Sequence, residues 1–175
     1  MFSRKKYVFL IAAFLKITDM KANTYTKLYA HCVFTPRGRH SLLKESIEEK
    51  VHKYIYGILK GKNCNPIAIN GTDDHIHILV GFCPSLSIED LVRDIKRSSS
   101  LFINTNHLLI SKFSWQEGYG AFTVGYRELD NVYKYIENQK THHKSRNFRD
   151  EYMGMLTEHG IDFNTDYLYE FYDEN

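Results

Sequence analysis

Thr72-Asp73-Asp74-His75-Ile76-His77-Ile78-Leu79-Val80-Gly81 is the stretch on which the fold turns. Gly71-Thr72-Asp73-Asp74 is turn chemistry, and the residues after it alternate histidine with aliphatic side chains before running into a buried strand. Successive strand side chains point to opposite faces, so His75 and His77 project together while Ile76 and Ile78 face the other way. Two imidazoles on one rigid strand can supply two cis ligands to a divalent metal. Satisfied polar residues at a strand end would show the same spacing, and the stretch alone does not choose between these readings.

Upstream, Thr26 to Thr35 reads as a first strand that Pro36 ends, followed by the basic loop residues Arg37, Arg39 and His40. Ser46-Ile47-Glu48-Glu49 has the form of a capping box. Ile47, Val51, Tyr54, Ile55 and Ile58 then mark the apolar stripe of a helix closed by Gly61. Pro66 to Asn70 is a short strand, joined to the His75 strand as a hairpin. Downstream, Ser87 caps a second helix with Ile88, Leu91, Val92, Ile95 and Phe102 on its inner stripe and Arg93, Lys96 and Arg97 on the other face. Such a face is usually solvated, but cations with a neighbouring hydroxyl are also what holds a nucleic-acid backbone. Phe113 to Val124, with the sole tryptophan and two glycines, suggests strand, bend, strand.

A third helix opens at Arg127-Glu128 and runs to about Thr141. Leu129, Val132, Tyr133 and Ile136 form its buried stripe, which explains Tyr133 as packing. Tyr135, Gln139 and His142 cluster on an adjacent face, so whatever the tyrosine approaches, the amide approaches too. After the basic hinge His142-His143-Lys144-Ser145-Arg146, Asn147 caps a last helix carrying Phe148, Tyr152, Met155 and Leu156, stopped at Gly160. An acidic, aromatic tail follows.

The 175 residues form one domain with a possible appendage, long enough to bury a core. With 43% hydrophobic and 25% charged residues the composition is that of an ordinary globular protein, and a net charge of +2 permits a local basic face without demanding nucleic acid. Cys32, Cys64 and Cys83 form no CxxC pair, which argues against a disulfide framework or a thiolate zinc site and fits a reducing cytoplasm. Arg4-Lys5-Lys6 and the apolar run Tyr7 to Leu15 have the look of a signal peptide, but the run is too short to span a bilayer and Lys16-Ile17-Thr18-Asp19 is wrong for a cleavage site. The expectation is that residues 1–19 are an upstream extension, that Met20 is the natural start and that residues 20–175 are the domain proper.

In sum, the segments Tyr29 to Arg37, Asp74-His75-Ile76-His77, Ile95 to Ser100, Trp115 to Phe122 and Tyr135-Ile136-Glu137-Asn138-Gln139 with His142-His143 resemble, in order, the single-tyrosine transposases of the HUH superfamily. These are the enzymes of insertion sequences that move as single-stranded DNA. The likeness covers roughly residues 24 to 170. It implies an α+β, ferredoxin-like fold, an antiparallel sheet packed with helices, which the element order suggests independently. It also implies Tyr135 as nucleophile, His75, His77 and Gln139 as ligands of magnesium or manganese, and hairpin-ended single-stranded DNA as substrate. A cytoplasmic homodimer of a bacterial or archaeal cell, with sites shared between subunits and no membrane partner, completes the expectation. Arg37, Arg39, Arg93, Lys96 and Arg97 are the candidate DNA contacts. Three other readings compete, the closest a domesticated tyrosine nuclease of the same superfamily that would share the chemistry but not the mobility. A histidine-triad hydrolase would need a further histidine where the chain has Leu79. An RNA-binding ferredoxin-like module would need exposed aromatics on its sheet and leaves the histidine pair unexplained.

Overall fold

The computed structural model describes residues 25–38, 42–143, 147–165 and 168, apart from the His142 side chain. Residues 1–19, the Met20 start, Arg39, His40 and most of the acidic tail lie outside the described residues. The chain runs β1 (Tyr29–Phe34), α1 (Glu45–Gly61), β2 (Asn65–Gly71), β3 (Ile76–Gly81), α2 (Ile88–Thr105), β4 (Gly120–Thr123), α3 (Leu129–Glu137), α4 (Gln139–His142) and α5 (Phe148–Glu158). The four strands form an antiparallel sheet in the order β2-β3-β1-β4, so each of the first two helices connects strands separated by one neighbour. That is the split βαβ, ferredoxin-like arrangement.

Alternation decides which residues meet which helices. Ala30, Cys32, Phe34, Ile76, Ile78 and Val80 face α1 and α2, burying Val51, Ile55, Leu59, Leu91, Val92 and Ile95. The opposite face of the sheet presents Val33, Phe122, Ala68 and Leu79, covered by α3 through Ile136 and by α5 through Phe148, Tyr152, Met155 and Leu156. The central strands are therefore buried on both faces, which is why the sequence after His77 reads as a continuous aliphatic run. His31 and His77 are fully part of this second, α3/α5 face.

The caps at Ser87 and Asn147 form as expected, each side chain accepting the backbone N–H three residues on. Other expectations shift. The first strand is shorter than Thr26 to Thr35. Helix α1 begins at Glu45 after Lys44, with no side-chain cap, because the chain turns helical before Ser46 can act. Tyr54 is 36% exposed and stacks on Phe102 across the α1/α2 contact instead of entering the core. Only Gly120–Thr123 of the expected double strand pairs along its length. Trp115 makes a single bridge with Pro36 and donates its indole N–H to Ser99 Oγ at 2.8 Å.

The third helix is interrupted at Asn138. The Asn70 side chain donates to the carbonyls of Ile136 (2.7 Å) and Glu137 (3.1 Å), which a continuous helix would have used for its own next turn. Thr141 N–H instead bonds Asn138 O at 2.8 Å, and α4 starts again at Gln139. Among the described residues, no helix is long and apolar enough to cross a membrane.

Candidate active site

His75 sits at the mouth of the β2–β3 hairpin. Thr72 N–H donates to His75 O at 3.2 Å, and a Cβ on Gly71 would lie 2.2 Å from that oxygen, so only glycine fits the turn. The same turn orients the ring. His75 Nδ1 lies 2.7 Å from Asp74 Oδ1 and 2.9 Å from Thr72 Oγ1. An ionised carboxylate can only accept, so Nδ1 carries a hydrogen and Nε2 is turned inward. His77, two residues on, bonds His31 Nε2 through Nδ1 at 2.9 Å, and the two rings stack at 5.1 Å. Its Nε2 is the buried side-chain atom that, among the described residues, has no hydrogen-bond partner. Burial, then the neighbouring His75, His31 and His143, holds His77 well below the usual imidazole range; burial likewise lowers His31 to about 4. Both rings are neutral, the form that ligates metals.

Helices α3 and α4 bring the other two expected residues to this point. The Tyr135 ring stands edge-on to His77 at 5.9 Å and to His31 at 6.2 Å. Gln139 is fully buried, its Oε1 3.2 Å from His75 Nε2. Tyr135, His75, His77 and Gln139 thus converge within a single chain. At their centre stands Glu151 from α5. The Tyr135 hydroxyl donates to Glu151 Oε1, Gln139 Nε2 donates to the same oxygen at 2.8 Å, and His143 Nε2 donates to Oε2 at 2.6 Å. Burial would raise the Glu151 carboxyl, but the His143 hydrogen bond, the His75 charge and the bonds from Tyr135 and Gln139 outweigh it and hold it near about 2.

Two imidazole nitrogens, an amide oxygen and a carboxylate converge here, and one of them, His77 Nε2, has no hydrogen-bond partner among the described residues. The donor set fits a divalent metal, with ring orientation fixed from behind by Asp74 and His31 in the usual manner of metal-ligating histidines. Ligand atoms of His75, His143 and Glu151 also lie within 4.8 Å of one another.

The candidate DNA contacts Arg93, Lys96 and Arg97 fall elsewhere. Helix α2 lies on the opposite side of the sheet from the histidines. Arg93 is exposed and pairs with Asp90. Lys96 donates to Gln116 O at 2.7 Å and to Gly118 O, and burial lowers its ammonium to about 8. Arg37 and Arg97 are exposed. Sequence reasoning passed over His31, His143 and Glu151. His31 shares a strand face with Val33, whose register partner on β3 is His77, and Glu151 is a carboxylate set in the Phe148–Tyr152–Met155 stripe of the last helix. Both are charged or polar residues at positions whose periodicity demands apolar ones.

The family described as "Transposase IS200 like" matches residues 24–139. A crystal structure of a protein assigned as a transposase of Deinococcus radiodurans R1 superposes with a TM-score of 0.55 at 24% identity, over 70% of this chain and 98% of that one. A REP-associated tyrosine transposase bound to a REP hairpin superposes with a TM-score of 0.54 at 14% identity, over 72% of this chain and 74% of that one. Both likenesses bear on the fold, and their α+β sheet-and-helix architecture is the one described above. No curated protein matches the chain. Because the family match spans more than half of the sequence, the chain belongs to the IS200-like transposases, enzymes that cut and transfer DNA.

Proposed function

We propose that this transposase cuts and rejoins single-stranded DNA through a covalent 5′-phosphotyrosine on Tyr135. The observation that carries the proposal is the buried, unpartnered His77 Nε2 beside His75 Nε2, Gln139 Oε1 and the Tyr135 hydroxyl. His75, His77 and Gln139 would hold a magnesium or manganese ion. When bound, such an ion supplies charge neutralisation and polarisation of the scissile phosphate.

The chain's own residues do the rest. The phenol oxygen attacks phosphorus, the bond from phosphorus to the 3′ oxygen breaks, and the departing oxygen takes up a proton as the phenol loses one. A phenol of ordinary pKa, about 10, does not hand its proton outright to a carboxylate held as low as Glu151. Glu151 therefore orients the hydroxyl toward the reaction rather than storing its proton. His75, His77 and Gln139 are buried beside the half-buried Tyr135, and the free 3′ hydroxyl is the acceptor for rejoining.

The substrate class proposed is a DNA hairpin with single-stranded flanks, in keeping with the hairpin bound by the REP-associated neighbour. Exposed Arg37 and Arg97 are proposed phosphate contacts, and a homodimer is the proposed assembly, checked by sedimentation. The decisive experiment mixes the protein with single-stranded DNA from the flanks of its own gene and manganese, then looks for a protein–DNA adduct on a denaturing gel. An adduct that needs metal and vanishes in Tyr135→Phe is expected. One that survives the substitution would move the nucleophile elsewhere, with Tyr133 tested next.

A further inference from the structure

We propose that Glu151 is a fourth protein ligand of the cation site, set in place by His143, so that helix α5 completes the metal centre. The inference rests on the proposal that His75, His77 and Gln139 hold a divalent ion, and extends it to residues beyond the span 24–139 that the family match covers.

Glu151 Oε1 lies 3.6 Å from His77 Nε2, and Glu151 Oε2 lies 3.7 Å from His75 Nε2. Both separations are too long for hydrogen bonds. Two donors bound about 2.1 Å from one ion stand about 3.0 Å apart at right angles and about 3.4 Å apart at a tetrahedral angle. The Glu151 spacings, like the 3.2 Å between His75 and Gln139, match that range after a small contraction. These side chains are spaced as ligands around a shared centre.

Charge points the same way. Two neutral imidazoles and an amide would leave a divalent ion with its full charge in a buried site. One carboxylate halves it, and the scissile phosphodiester, with a single negative charge, cancels the remainder. Glu151 is 4% exposed; Tyr135 and Gln139 occupy Oε1 and His143 one site of Oε2, which leaves one Oε2 lone pair for an ion. His143 engages Oε2 at 2.6 Å, the outer-shell pattern that fixes a ligating carboxylate. The docking of α5 is itself built onto the site. Phe148 stacks on His75 at 4.3 Å, and Tyr152 packs over Gly120, where a Cβ would stand 2.8 Å from its ring.

Manganese titration of the full chain, by calorimetry and by loss of the free-ion spin resonance signal, tests this without DNA or turnover. Circular dichroism of the metal-free proteins checks the fold first. Glu151→Gln should weaken manganese binding by about tenfold or more, at or beyond the ~10–100-fold lost with outer-shell partners. His77→Ala should abolish binding. Unchanged or tighter binding by Glu151→Gln, with His77→Ala still inactive toward the ion, would overturn the role of Glu151 and leave the cation site standing. Equal binding by wild type and His77→Ala would instead overturn the cation site itself, and this inference with it. Should Glu151→Gln not fold, Glu151→Asp gives the same reading, since it withdraws the carboxylate by one methylene.

Discussion

His77, buried, and Lys96, half-buried, show how differently two side-chain nitrogens can be used. His77 Nε2 is held neutral and without a hydrogen-bond partner, 3.6 Å from Glu151 Oε1. Lys96 is spent on structure: its ammonium ties α2 to the Gln116 and Gly118 carbonyls and lies 5.2 Å from the centre of the Phe34 ring. Because burial lowers Lys96 from 10.5 to about 8, the unfolded chain binds more protons there between those values. Its contribution to stability is therefore complete above about 10.5 and has gone by about 8. Thermal midpoints of wild type and Lys96→Met should accordingly converge or cross in favour of wild type as the pH rises from 8 to 10; parallel curves would show an ordinary surface lysine. The histidine pair and Tyr135 with Gln139 were legible in the sequence because each pair lies within a few residues, close enough to stay together although a helix break separates Tyr135 from Gln139 and His75 precedes β3. Glu151 was not, since its meaning depends on α5 folding back over β1 and β4, a tertiary event that no window of the last helix contains.

At the scale of elements, helices followed the sequence wherever apolar periodicity was local, as in α1, α2 and α5. The expectation failed at Asn138, where the helix ends because Asn70, on β2, takes its last carbonyls. It failed also before β4, where glycine spacing suggested two strands and the chain forms one. Gly120 is there for the approach of α5. An alanine would press its Cβ against Tyr152 and Phe122, costing about 1–3 kcal/mol by overpacking. Urea unfolding of Gly120→Ala should show that loss, together with weaker manganese binding as α5 and Glu151 lift from the site. A variant that loses stability but binds the ion normally would separate α5 docking from the metal centre.

For the whole molecule, a net charge of +2 gives no broad attractive field, so affinity for DNA must come from a few local contacts. Binding of a single-stranded hairpin flank should fall with salt, and removing Arg37 and Arg97 together should reduce the slope by about 1.4, at ~0.7 per single-strand phosphate contact. Fluorescence anisotropy across salt concentrations measures it; an unchanged slope would place the phosphates elsewhere. The architecture also puts Arg97, on α2, and the histidines on different sides of a sheet whose middle strands are covered twice. Strand order was readable from the β-α-β-β-α-β succession. The covering of the second face was not, because it needs α3 and α5 to pack on residues far earlier in the chain.

Asn70 has a further role in that packing. It pairs in register with His77 on β3 while its side chain grips the end of the helix that carries Tyr135. Strand and helix are thus latched by one residue. If two copies of the chain were to trade their tyrosine helices, each latch would have to open, yet each would close again on an identical helix from the other copy. Such an exchange is nearly neutral in free energy and slow in time. Which chain's tyrosine serves which pair of histidines would then depend on how the two copies were assembled, and a dimer once formed would keep a memory of it.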